Sequence, residues 1–192
     1  MNEFILIPIS LVIGISLTEI FKSLAAIFKH SNKITGKSSL FIIISILTIV
    51  QIQYWWQISK WTFDDKFTIF NLILAMIIPC LIYLIAEIAI PSNDDIYCND
   101  TKKIDMFKNI YNRRKLLCGF AIIIPITYFM IDIFITDSDG IDPVRSIFRI
   151  VFIVQLFVNI VSSNKRVIKY NIFLLGVLFI VFIIIKDVFL KV

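Results

Sequence analysis

Seven polar residues interrupt otherwise apolar runs and hold what chemistry this chain could do there: Glu19, Gln51, Gln53, Tyr83, Glu87, Gln155 and Asn159. A carboxylate in such a run binds a proton or cation, or is held by a bonding partner. Glu19 shares a helical face with Ser16, Ser23 and Ala26, beside a stripe of small residues at Ser10, Gly14 and Thr18. Small residues at this spacing let helices approach closely, so this segment belongs at the centre of a bundle or at a subunit contact. Pro79, Tyr83 and Glu87 follow at intervals of four, and Pro79 frees a carbonyl one turn earlier. Gln155 and Asn159 share a face of one run, and Gln51 and Gln53 lie near the middle of another. The functional expectation is a polar path past Glu19. The plain expectation is interhelical bonding, with Glu19 tied to Lys22 or to a neighbouring amide.

Asp132 and Arg149 stand at similar depth in two runs joined by a short connector, which predicts an ion pair between antiparallel neighbours. Trp55, Trp56 and Trp61 cluster near the end of one run, where amphipathic rings anchor a helix at the headgroup level. Other motifs fail on their details. Asp137, Asp139 and Asp142 resemble a calcium loop, but the twelfth position is Phe148 rather than Glu. Asn99-Asp100-Thr101 matches a glycosylation sequon. Cys80, Cys98 and Cys118 have no metal-ligand spacing, and His30 is the sole histidine. No nucleotide-binding or hydrolase motif is present, so no catalytic set, cofactor or metal is expected.

The elements that must position these residues are membrane spans. Of 192 residues 59% are hydrophobic and the mean hydropathy is +0.91, more apolar than a soluble domain needs. Six runs reach the roughly 20 residues a spanning helix requires: about 4–28, 39–58, 67–90, 116–136, 144–162 and 167–190. Backbone groups in lipid must be bonded internally, and unbroken isoleucine runs lack the alternation of barrel strands. The expected fold is therefore all-α, a single polytopic bundle of six transmembrane helices.

Basic residues cluster in alternate connectors: Lys29, Lys33 and Lys37; then Lys102 to Lys115; then Lys165, Arg166 and Lys169. The other connectors are acidic or mixed. The positive-inside rule places the basic loops in the cytoplasm and both termini outside it. The net charge of +5 thus serves orientation in the bilayer, not nucleic acid. The one long connector, 91–115, ends in a stretch with Ile104, Phe107, Ile110 and Tyr111 at helical spacing. A short amphipathic helix on the inner membrane surface is expected there, with a cytosolic partner as a possible guest. Echoes such as Ile7-Pro8-Ile9-Ser10 and Ile124-Pro125-Ile126-Thr127 raise an inverted repeat of three spans per half.

Leu17-Thr18-Glu19-Ile20, Gln53-Tyr54-Trp55-Trp56, Pro79 through Tyr83 to Glu87, and Asn112-Arg113-Arg114 together resemble a family of small, uncharacterised multi-pass bacterial membrane proteins. The resemblance covers roughly the first 120 residues. It implies a bacterial inner-membrane location, and it carries no known activity and so adds no site assignment. Two functions compete: a small ion or solute transporter or channel subunit, as a homo-oligomer, and a non-transporting sensor or partner-binding subunit, for example of a stress or defence system.

Overall fold

The computed structural model describes residues 3–29, 32, 34–61, 68–89, 104–134 and 143–189. The turn at Asp137, Asp139 and Asp142, the sequon at Asn99, and His30, Cys98 and residues 90–103 lie outside them. Six helices are described: α1 (Glu3–Lys29), α2 (Lys37–Trp61), α3 (Ile69–Ala89), α4 (Met106–Phe134), α5 (Pro143–Val161) and α6 (Lys165–Phe189). Two-residue strands β1 (Ile34–Thr35) and β2 (Ile104–Asp105) are the other regular elements. Five helices are long and apolar enough to cross a membrane, through Ile7–Lys29, Ser38–Trp56, Ile69–Ala89, Met106–Ile133 and Pro143–Val161.

The helices form a four-helix core with a hairpin laid against it. α3 packs most heavily on α4 and on α1, while α2 touches α1, α3, α4 and α6. The α5–α6 hairpin closes the side between α4 and α2. Buried stripes explain these faces. Ile9, Ile13, Ser16, Ile20 and Ile27 line one side of α1; Leu40, Ile44, Leu47, Gln51, Tyr54 and Ile58 line one side of α2. Each steps by three, four or seven, the period that keeps side chains on one helical face. The two halves pack differently. α1 lies extensively on α3, whereas α4 reaches α6 little among the described residues, which argues against an inverted repeat.

Residues 106–115 depart from the sequence expectation. They are not a separate surface helix but the first turns of α4, which runs unbroken for 29 residues. Nothing between Met106 and Cys118 is glycine or proline, so no signal stops the helix. Met106 is fully buried and Ile110 nearly so, so this end enters the bundle rather than lying on its surface.

The strands pair in parallel, Ile34 with Ile104 and Thr35 with Asp105. This clasp holds the end of α1 and the start of α4 at the same end of the bundle. Asp105 then caps α4, its Oδ1 accepting from the Lys108 backbone N–H at 3.3 Å. Gly36 makes the clasp possible. Its φ is +70°, and a Cβ there would stand 3.0 Å from both Asp105 Oδ1 and the Phe107 backbone nitrogen. Gly36→Ala combines left-handed backbone strain of about 1–2 kcal/mol with that collision. A lower thermal unfolding temperature in detergent is expected, while Gly119→Ala, whose added Cβ meets nothing within 4 Å, leaves it nearly unchanged.

Candidate functional site

A cavity of about 220 Å³ opens where the hairpin meets the core, between α2, α4, α5 and α6. Its wall is almost wholly apolar, with Leu47 and Val50 of α2, Ala121 of α4, Phe152 of α5 and Leu175 of α6 among its residues. Polar groups gather at its ends. Arg145 and Arg149, in the first turns of α5, stand at one end; Arg114, near the start of α4, stands at the other, with Asn159 toward the same end. Pro125 also lines it. The ring removes the N–H that would bond the Ala121 carbonyl one turn back, and Ala121 lines the same cavity.

At the Arg149 end the groups are tied together across helices. Arg149 donates through Nη1 to Asp132 Oδ2, and both side chains are mostly buried. The Arg149 guanidinium lies 5.4 Å from the Tyr128 ring centre and 5.1 Å from that of Phe129. Tyr128 meets Tyr54 edge to face, with centroids 6.0 Å apart. Tyr54 is fully buried and its hydroxyl donates to the Ala75 carbonyl on α3.

At the other end α4 staples helix termini. Arg113 donates to the Ile88 carbonyl at 3.1 Å and Asn109 to the Ala89 carbonyl at 3.5 Å, both at the end of α3. Arg114 donates to Ser162 at 3.3 Å, and the Tyr111 hydroxyl to Ser163 at 2.9 Å, just past α5. The last carbonyls of a helix have no partner within it and carry the negative end of its dipole, so cationic donors fit there. These arginines are therefore engaged within the chain, not held out as a docking patch.

The seven polar candidates do not converge. Gln53 and Asn159 line the cavity; Glu19, Gln51, Tyr83, Glu87 and Gln155 do not. Glu19 pairs instead with Lys22 on its own helix, Nζ to Oε2 at 3.5 Å. Glu87 is exposed and Tyr83 half-buried. Gln51 is fully buried, and among the described residues neither its amide nitrogen nor its oxygen has a partner; the same holds for the Ser16 hydroxyl. Asn159 accepts from Asn171 at 3.0 Å, and Asn171 also donates to the Gln155 carbonyl at 2.8 Å. Asn171 was absent from the sequence candidates, and Arg114 was read there only as part of the 91–115 connector. Asn171 could have been found as an amide inside an apolar run two turns past a short connector. Trp55 and Trp56 are exposed on α2, and Trp61 is its last residue.

Removing one member of a mostly buried ion pair strands the other, at about 3–5 kcal/mol, whereas removing both costs much less. Asp132→Asn and Arg149→Met should each lower thermal stability strongly, and the double variant should recover most of the loss. Additive losses would show that the two side chains act independently. No protein-family model, no curated protein and no solved structure matches this chain.

Proposed function

We propose that this is a six-span integral membrane protein of a bacterial inner membrane, with both termini outside the cytoplasm, that holds the apolar tail of an anionic amphiphile between α2, α4, α5 and α6. The observation that carries the reading is the cavity: a slot of apolar side chains with arginines at its two ends. Its lining extends along α5 from Arg145 to Asn159, roughly 21 Å at about 1.5 Å per residue. That length suits a single extended acyl chain. A guanidinium carries five N–H donors, so Arg114 and Arg149, though bonded within the chain, can still meet a phosphate or carboxylate head through charge-assisted bonds. No acidic residue lines the slot among the described residues.

A path for a small ion gains less support. Such a path replaces the hydration shell with a continuous series of polar groups, and five of the seven candidates lie outside the cavity. The partner-binding alternative is weakened in the same way, because Arg113 and Arg114 already bond carbonyls of their own bundle. α6 is counted as the sixth span on its 25-residue length and its apolar run from Phe173 to Ile185.

Orientation is tested by reporters active on one side of the membrane only. A periplasmic reporter fused after Val192 should be active, and a cytoplasmic one inactive; the reverse would overturn the topology. Occupancy is tested by filling the slot. Ala121→Trp should strip a co-purifying acyl lipid seen by native mass spectrometry, with helix content retained. Lipid retained at wild-type levels in that variant, or no lipid in the wild type, would overturn the reading.

A further inference from the structure

The outward face of α1 differs from that of α5. On α5 the exposed face is apolar throughout, with Ile147, Ile150, Val154, Phe157 and Val161 outermost, as contact with lipid requires. On α1 the exposed face holds Leu11 and Ile15, but also Gly14, Thr18 and Lys22, with the half-buried Glu19 beside them. Glu19 lies near the middle of the Ile7–Lys29 span, ten residues and about 15 Å from its Lys29 end. Its side chain is 30% exposed and that of Lys22 68%. A lysine so placed could extend its stem toward the interface, but Glu19 is too deep and too short to follow. The pair at 3.5 Å instead keeps both charges together at membrane depth. Charged groups there face protein or water rather than lipid.

We infer that a second copy of this chain covers the α1 face, pairing Glu19 of each copy with Lys22 of the other. Two copies in one membrane share an orientation, so their α1 helices run parallel about a two-fold axis. In such a contact the same patch meets itself. Glu19 and Lys22 are one turn apart, so each carboxylate then lies within a turn of the other copy's ammonium. The patch is complementary to itself in charge. It also permits approach: a Cβ added at Gly14 would meet nothing within 4 Å, so packing within the chain does not account for this glycine. Close helix approach across small residues does. The Thr18 hydroxyl is turned back to the Gly14 carbonyl at 2.8 Å, so it bonds within its own helix. The inference rests on α1 crossing the membrane and is independent of what fills the cavity.

Charge exchange tests it in bilayer vesicles at low protein density, read by single-molecule photobleaching steps. Wild type should bleach mainly in two steps. Glu19→Lys alone and Lys22→Glu alone should each shift several-fold toward single steps, while the two variants mixed should regain two-step, two-colour complexes. Helix content and thermal unfolding of each variant check that the fold survives. In a background with its cysteines replaced by alanine, Thr18→Cys should cross-link to a dimer under mild oxidation and Ile150→Cys should not. Single-step bleaching of wild type, variants that dimerise undiminished, or cross-linking equal at both positions would overturn the inference. So would capture of a different membrane protein at Thr18→Cys in place of a second copy.

Discussion

One line of contacts joins the two parts of the bundle. It runs from the Ala75 carbonyl on α3 through the Tyr54 hydroxyl on α2, across the Tyr54 and Tyr128 rings, to the Arg149 guanidinium and back to Asp132 on α4. Four helices meet in that line. Without it this end of the hairpin would touch the core chiefly through aliphatic contacts. Such contacts weigh little in a bilayer, where lipid tails are as apolar as leucine and packing and interhelical bonds must hold helices together. A charge pair that would be costly alone is here surrounded by rings and a carboxylate. It therefore fixes the depth of α5 against α4 to within a side chain's reach.

The opposite end is held by a different device. α4 begins with Met106 buried and with Asn109, Arg113 and Arg114 on the terminal carbonyls of α3 and α5. Tyr111 adds its hydroxyl to Ser163 and its ring to Arg114 and Lys165, at 4.2 and 5.5 Å. The basic residues that give the chain its charge asymmetry thus also close the open ends of two helices. One set of side chains satisfies both the orientation rule and the backbone's unmet acceptors.

The helical class was legible because lipid leaves the backbone few options, and the apolar runs are long. Asp132 and Arg149 could be paired on paper because a short connector puts opposite charges at one depth. Residues 106–115 were harder. Their polarity reads as a connector, yet that polarity serves carbonyls of neighbouring helices, which no single-helix pattern reveals. Gly36 and its two-residue strands were invisible for a similar reason: a ladder of two residues has no periodicity. Rotation about the helix axes separates the seven polar candidates. Gln51 and Gln53 are two residues apart, about 200° around a helix, so one is buried on the same stripe as Tyr54 and the other lines the cavity. Depth can be read from sequence, but direction around the axis needs the neighbours.

The cavity follows from how the hairpin is attached. Its strong ties are at the two ends: Arg149 with Asp132 at one, and Arg114 and Tyr111 with the close of α5 at the other. Between them the seam depends on smaller contacts, such as Cys118, Leu156 and Leu175. Gly176 brings α6 so near α2 that an added Cβ would stand 2.9 Å from an Ile42 methyl. Ala121 and Pro125 on α4 put little side chain into the facing wall. The hairpin is pinned at both ends by an ion pair and by bonded carbonyls, with Ala121 and Pro125 of α4 facing its middle. The slot is therefore a consequence of where the polar bonds lie.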